Sequence, residues 1–362
     1  MEFHLYPRTV TDNTLVMDLT SKVNRPIFST RLHGGFHRAS FTLNASLGEA
    51  WQWATKYYNY RLRITDNQHL LWEGRIEEPE LDILGKKVGI QAYGYYANLS
   101  DVPYATAYND HFDVILKAVL TAACAQINSD QSNIAATDIT IDSAAAAGYL
   151  DTYPQQLVEM LSKFSDSTMG KWYFAIWEDR KPWLFKKSAA ALDWVTSIAD
   201  FKALRLTHRL ADLWNSAYAV YDAGGLTRTA TINDTDSQSK YDLTRRYVVP
   251  NLGTVIAAAA EAQRDAIVEN SKDIYPRLSQ IVLGDRVFTT GGKAYSSSWI
   301  RAGQVLRIQD LVPASGDAGS VALDGLRTFY IVETEYDVDR REMRIVPDTE
   351  ISSLDSLLAR KV

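Results

Sequence analysis

At 362 residues the chain is more than twice the roughly 150-residue length of a typical domain, so two to four packed units are expected. Apolar residues at 46% and charged residues at 23% match ordinary globular usage and exclude long disorder, a collagen-like repeat or a coiled-coil rod. A net charge of −6, from 38 Lys plus Arg against 44 Asp plus Glu, argues against a broad basic surface built to grip phosphate backbones. The single cysteine, Cys124, excludes an internal disulfide and a multi-cysteine metal site.

The opening Met1 to Pro7 carries no basic segment followed by an apolar stretch, and no 18-residue uncharged run follows, so neither a signal peptide nor a membrane span is expected. From Gly34 to Ile90 the pattern is strand-like. Ala39, Phe41 and Leu43 alternate with polar neighbours, as do Leu62 and Ile64, and Asp66-Asn67 supplies turn chemistry. Leu70 to Ile83 runs to a second turn at Gly85, before Val88, Ile90 and Ala92. With an opening strand at Phe3 to Tyr6, this predicts a small antiparallel barrel or sandwich over 1–101. The period then changes. Phe112, Ile115, Leu116, Val119, Leu120 and Ala123 predict a helix over 111–127, and Tyr153-Pro154 opens another carrying Leu157, Met160, Leu161 and Phe164. A hairpin of Lys171–Trp177 and Pro182–Lys187 completes an α+β unit over 102–200.

A further hairpin, Trp214–Tyr221 with Leu226–Ile232, surrounds Ala223-Gly224-Gly225. A helix from about Thr254 to Ser271 then carries Ala257 to Ala260, Ala262 and Ala266, small side chains that permit close approach of another backbone. Strands return at Gln304–Asp310 and Leu326–Val346, and Leu354–Val362 reads as a short helix or tail.

Part of the chain resembles another part of itself. A shift of 255 sets Leu71 on Leu326, Ile76 on Ile331, Glu78 on Glu333, Glu80 on Glu335, Asp82 on Asp337 and Ile90 on Ile345. A shift of 244 sets Leu62-Arg63-Ile64 on Leu306-Arg307-Ile308. The difference falls in Leu311 to Gly325, whose Pro, Gly and Ser suit an insertion. Two amphipathic strands share a period of two whatever their origin, and that is one reading of the match. The other is a duplicated β-module, with copies at 1–101 and at 201–232 plus 296–350, and with 233–295 as an excursion. The expected fold class is therefore α+β and mostly β. It has two related small β-barrels, an α+β domain between them, and a smaller helix-containing insertion in the second barrel, followed by a tail at 351–362. Three copies of such a chain would present six modules.

No nucleophile elbow, zinc-protease helix, P-loop or dinucleotide-binding turn occurs. His33 and His37 flank Gly34-Gly35, a turn into a strand sooner than a ligand pair. His111 beside Asp110 reads as a helix start, and Cys124 among alanines as a buried small hydrophobe. No catalytic, cofactor or metal site is expected. The carboxylates Glu73, Glu77, Glu78, Glu80 and Asp82 have three readings: a solvated strand face, an acid/base or cation site, or an acidic channel lining that repels passing DNA. For the lining, the repeated positions Glu78, Glu80, Asp82, Glu333, Glu335 and Asp337 are the candidates. Phe36, Trp72, Tyr330 and Tyr336 are candidate subunit-interface aromatics. Trp172, Phe174, Ile176, Trp183 and Phe185 read as core or interface before ligand platform.

The strand GGFHRASFTL at 34–43, LWEGRI at 71–76, NSAYAVY at 215–221, the Ala-rich helix, GQVLRI at 303–308 and FYIVE at 329–333 resemble, in order and spacing, the phage tail hub family. That family comprises the baseplate hub of contractile tails and the N-terminal hub domain of siphophage tail-associated proteins. The resemblance implies a non-enzymatic virion protein that forms a trimeric, pseudo-sixfold ring with an axial passage for genome ejection. It implies as partners further copies of itself, a tail tube or distal tail protein, a fibre, spike or tip protein, a tape-measure protein, and DNA only in transit. No cofactor and no stable membrane insertion are implied. The protein would be made in the host cytoplasm and sit at the virion tail tip. Because the sequence ends at Val362, a receptor-binding or lytic tip is expected on another polypeptide. The rival readings are a tail-associated cell-wall glycan hydrolase using two carboxylates, and a receptor-binding module.

Overall fold

The fold is described from a computed structural model, for residues 1–7, 12–97, 103–104, 155–156, 172–178, 182–186, 192–207, 210–250, 252, 256–274, 277–311 and 328–347. The helix expected at 111–127, the tail at 351–362, and the readings of His111 and Cys124 lie outside these residues; of the helix expected at 153–165 only Gln155–Gln156 is described, and it is a strand paired antiparallel with Pro103–Tyr104.

The N-terminal module runs β1 (Glu2–Tyr6), β2 (Met17–Asp18), β3 (Val23–Arg31), β4 (Gly34–Asn44), α1 (Leu47–Thr55), β5 (Arg61–Asp66), β6 (His69–Asp82) and β7 (Lys87–Tyr93). Then come β8 (Pro103–Tyr104), β9 (Gln155–Gln156), β10 (Trp172–Ile176), β11 (Pro182–Lys186), β12 (Trp194–Ser197) and β13 (Phe201–Thr207). A small sheet and two helices follow: β14 (Ser216–Asp222), β15 (Leu226–Arg228), β16 (Ile232–Asn233), α2 (Thr235–Tyr241), β17 (Arg246–Val249) and α3 (Ala257–Ser271). The chain closes with β18 (Arg277–Leu283), β19 (Val287–Thr289), β20 (Ala294–Tyr295), β21 (Val305–Gln309), β22 (Thr328–Asp337) and β23 (Glu342–Pro347). Among the described residues the fold is mostly β, with seventeen strands in one sheet.

The chain divides into two compact units. One comprises Met1–Ala203, Gln280–Leu311 and Arg327–Asp348; the other comprises Leu204–Ser279, Val312–Leu326 and Thr349–Val362. In the first, strict alternation makes the core. Ala39, Phe41 and Leu43 of β4 are buried with Leu62 and Ile64 of β5 and Val88, Ile90 and Ala92 of β7, while the intervening side chains reach solvent. β1 pairs antiparallel with β5, β5 with β6, β6 with β7, and β7 with β4. The 14-residue β6 serves two partners, its first half on β5 and its second on β7.

One element departs from the strand-like reading of residues 34–90, the helix α1. Ser46 accepts from the Glu49 N–H while the Glu49 carboxylate accepts from the Ser46 N–H, a capping box that satisfies two donors at the helix start. Ala50 and Trp53 turn inward and Tyr57 follows, so the helix covers an end of the module. The S-x-x-E signature at Ser46–Glu49 is the sequence signal for it.

In the second unit β14 is central, flanked antiparallel by β15 and β16 and in parallel by β17. The sequence reading grouped 201–232 with the second barrel; the pairings of β14, β15 and β16 put these strands in this small sheet. Alternation records that a strand buries one face and carries no information about which sheet it joins. The turn at Gly224-Gly225 has the expected chemistry, with both glycines at positive φ and the Asp222 carboxylate accepting from both N–H groups at 3.0 and 2.8 Å. Of the α3 alanines, Ala260 is fully buried in a cluster with Ala219, Tyr221 and Val249, whereas Ala257, Ala258, Ala262 and Ala266 are exposed. The polar stretch Asn233–Lys240 contains most of α2, started by the Asp234 carboxylate accepting from the Ser237 N–H at 2.8 Å.

Candidate functional site

The repeat seen in the sequence is a repeat of pairing register. β6 and β7 pair Ile76↔Ala92, Glu78↔Gln91, Pro79↔Ile90, Glu80↔Gly89, Leu81↔Val88 and Asp82↔Lys87, with a bulge between Ile76 and Glu78. Adding 255 to each number gives Ile331↔Pro347, Glu333↔Val346, Thr334↔Ile345, Glu335↔Arg344, Tyr336↔Met343 and Asp337↔Glu342. These are the pairs β22 and β23 make, with the bulge between Ile331 and Glu333. The preceding strand agrees at the shift of 244. Arg61↔Arg75, Leu62↔Gly74 and Arg63↔Glu73 become Val305↔Tyr330, Leu306↔Phe329 and Arg307↔Thr328. Any two alternating strands match in period, but a shared bulge position does not follow from period.

The turns repeat as well. The Asp82 carboxylate accepts from the Gly85 N–H at 2.8 Å, and the Asp337 carboxylate from the Arg340 N–H at 3.0 Å; Lys86 and Arg341, one residue further, both sit at positive φ. A cross-strand pair repeats in weaker form. Arg63 binds Glu73 at 2.7 Å, and Glu73 is 2% exposed and also accepts from the Tyr95 hydroxyl at 2.6 Å. At the corresponding place Arg307 donates to the Thr328 hydroxyl at 3.1 Å.

The two copies are joined by direct strand pairing. β22 runs antiparallel to β3, from Glu333↔Arg31 to Asp337↔Ile27. At the centre of this seam the Thr30 and Thr334 hydroxyls meet at 2.6 Å, both side chains buried, and the Ala302 N–H donates to the Thr30 oxygen at 2.9 Å. Arg301 bridges outward. It pairs with Glu178 at 2.8 Å, donates to the Leu70 carbonyl, and lies over the rings of Phe36 and Trp177. Trp299 stacks on His69 with ring centroids 3.9 Å apart and donates to Asp66 at 3.1 Å. Burial, with Arg301 nearby, holds the His69 imidazole below its ordinary pKa.

Against this frame the candidate residues separate. Glu78, Glu80, Asp82 and Glu335 are exposed; Glu333 is half-buried and bonded to Arg31 at 3.3 Å, and Asp82 and Asp337 hold their hairpin turns. Of the other carboxylates, Glu73 is sealed against Arg63 and Tyr95, and Glu77 pairs with Arg75 at 3.0 Å. Phe36, Trp72 and Tyr336 are 1%, 0% and 2% exposed. Their side chains are spent on the protomer's own core, which leaves them nothing to offer a neighbouring copy; Tyr330 is half-buried on β22. His37 is half-buried beside the Ser29 hydroxyl at 3.2 Å, and burial lowers its pKa. Among the described residues no group of three or more His, Cys, Asp or Glu is placed to hold a metal ion. Of the hairpin's apolar residues, Ile176 is buried at 3% exposure; the side chains of Trp172, Phe174, Trp183 and Phe185 lie outside the description.

The sequence reading passed over the exposed apolar surface of the first copy. Leu47 of α1 and Ile83 at the β6–β7 turn line a groove of about 680 Å³ together with Asn44, Ser46, Ala50, Asp82 and Lys86, and Trp51 and the 96% exposed Leu84 are further exposed apolar residues of the same helix and turn. At the second copy's turn the counterparts of Ile83 and Leu84 are Val338 and Asp339, so the copies differ in this surface.

The fold is similar to that of solved phage tail proteins. The chain superposes on the 43 kDa tail protein of prophage MuSo2 from Shewanella oneidensis with a TM-score of 0.60 at 12% identity, covering 98% of this chain and 99% of that one. A tail protein from Neisseria meningitidis gives 0.59 at 9% identity over 98% and 99%, and prophage tail protein gp18 from Listeria monocytogenes gives 0.53 at 11% over 99% and 98%. No protein-family model and no curated protein sequence matches the chain.

Proposed function

We propose that the protein is a structural component of a phage tail, a hub ring in which three chains present six related modules. The single observation that carries this reading is the repeated register. Modules that pair their strands alike, bulge included, offer near-equivalent surfaces, so a threefold ring can abut a sixfold tube with each module facing one tube subunit. The full-length likeness to prophage tail proteins supports the tail assignment.

In this reading the ring joins the tail tube or distal tail protein to a fibre, spike or tip protein, at the tail tip of the virion. The tape-measure protein and then DNA pass through its axis. The exposed acidic row Glu78, Glu80 and Asp82, one face of β6, lines that passage together with Glu335, and its negative charge keeps phosphates from lodging. The reading is non-enzymatic. Of the carboxylates a glycan hydrolase would draw on, Glu73 is held in a buried ion pair, Glu77 in a surface ion pair and Asp82 in a turn, while Glu78 and Glu80 lie on an exposed strand face, and this favours scaffold over catalyst. No described helix is long and apolar enough to cross a membrane. Electron microscopy of the native assembly tests the proposal by the number of chains per ring.

A further inference from the structure

The small sheet of the second compact unit takes no part in the repeat, and its two faces differ. Ala217, Ala219 and Tyr221 of β14 and Val249 of β17 are buried, and the last three cluster with Ala260 of α3. The alternate residues point the other way. Ser216 lies opposite Arg246, Tyr218 opposite Val248, Val220 opposite Arg228 and Asp222 opposite Leu226, so these eight residues share the outer face. That face is open: Val248 is 42% exposed and Leu226 75%, and Arg228 and Arg246 are exposed as well.

Its charge is one-sided. Arg228 lies over the Tyr218 ring, 5.7 Å from the centroid, and Arg246 donates from Nε to the Ser216 hydroxyl at 3.1 Å; among the described residues neither has a carboxylate partner. Asp222, at the end of the face, holds its carboxylate to the Gly224 and Gly225 N–H groups. Two guanidinium groups without an acid, set beside exposed aliphatic side chains, gain most from carboxylates that a partner brings. Tyr and Arg around an apolar centre is also the composition of protein interfaces.

We propose that this outer face docks an acidic segment of another polypeptide, with an apolar side chain seated among Tyr218, Val220 and Val248 and a carboxylate on either side, one for Arg228 and one for Arg246. Spacing sets what fits. Arg246 stands level with Ser216 and Arg228 with Val220, four residues along β14 and one strand to either side of it, so the two lie about 16 Å apart with Tyr218 between them. An extended chain covers that span in about five residues. A nucleic-acid strand fits less well, because a stacked base needs a free aromatic face and Tyr218 has Arg228 over its ring and Val248 beside it. A second copy of this chain also fits less well: its exposed acidic row, Glu78, Glu80 and Asp82, has a third carboxylate where the apolar centre would lie. This surface lies outside the ring reading, which gives roles to the two modules and none to the second unit.

The test uses assembled tails carrying the full chain with Leu226→p-benzoylphenylalanine, a photo-crosslinker at the exposed rim of the face. Illumination and mass spectrometry should identify a cross-linked peptide from a different tail protein, with Asp or Glu on both sides of an apolar residue and no Lys or Arg between them. Adding Arg228→Glu with Arg246→Glu should lower the cross-link yield at least about tenfold at an unchanged thermal unfolding midpoint, and Gln263→Glu, exposed on α3, should leave the yield unaltered. In parallel, fluorescein-labelled oligothymidine should bind the purified chain no better than it binds the doubly charge-reversed variant. A cross-link to a second copy of this chain, a yield indifferent to the charge reversal, no cross-link at all, or oligonucleotide binding that is lost with the two arginines would each overturn the docking surface and leave the ring standing. A chain absent from purified tails would overturn both.

Discussion

Replacing Thr30 by Val tests the seam that fuses the two modules. The change keeps the shape and removes one oxygen. That oxygen accepts from the Ala302 N–H at 2.9 Å and meets the Thr334 hydroxyl at 2.6 Å, and Thr30, Ala302 and Thr334 are 1%, 3% and 2% exposed. Two buried polar groups therefore lose a partner with no water to replace it, at about 1–3 kcal/mol each, so a total near 2–4 kcal/mol is expected. Thr334→Val should cost only about 1 kcal/mol, because the Thr30 oxygen still accepts from Ala302. The double variant should cost less than the sum of the singles, since one orphaned hydroxyl is gone. Urea unfolding followed by tryptophan fluorescence at fixed protein concentration measures all three. A Thr30→Val variant within about 0.5 kcal/mol of the parent would refute the reasoning, since that is the range of surface substitutions remote from any buried bond.

Glu73→Gln should destabilise by about 1–3 kcal/mol in the same assay, because Arg63 loses its charged partner while the Tyr95 hydroxyl keeps an acceptor. Thr328→Val at the corresponding site should cost less, since the Arg307 bond there lies at an exposed position. Burial lowers the His69 pKa, so the unfolded chain binds this proton more readily than the folded one. The contribution is therefore fully present above the ordinary imidazole value of about 6.5 and is lost as pH falls from there through the folded value. Thermal unfolding between pH 7.5 and pH 5 should show a smaller acid-side loss in His69→Phe, which keeps a ring against Trp299; an unchanged pH slope would contradict the assignment.

The strands of the first module were legible because each buries one face: the period of two at Phe41, Leu62, Ile64 and Ile90 carries that directly. The duplication was legible because a shared bulge requires the same spacing in both copies, and the spacing survives in residues 71–90 and 326–345. α1 was missed although Ser46 and Glu49 announce it, because an alternating background hides a nine-residue helix. The interface reading of Phe36, Trp72 and Tyr336 failed for a simple reason. Large aromatics serve a core and an interface equally well, and composition cannot tell which. The acidic residues had no such signature. Glu73 and Glu78 are five positions apart in one strand, yet one is sealed behind Arg63 and the other open to solvent, a difference set by where β6 leaves β5 for β7.

The most direct test of the central claim is the symmetry of the native assembly, read from electron-microscopic class averages together with its mass. Three chains per ring, with six similar lobes around an axial opening, is the predicted result. A ring of six chains, or a particle in which the lobes built around Trp72 and Phe329 are not related by an approximate sixfold rotation, would contradict it.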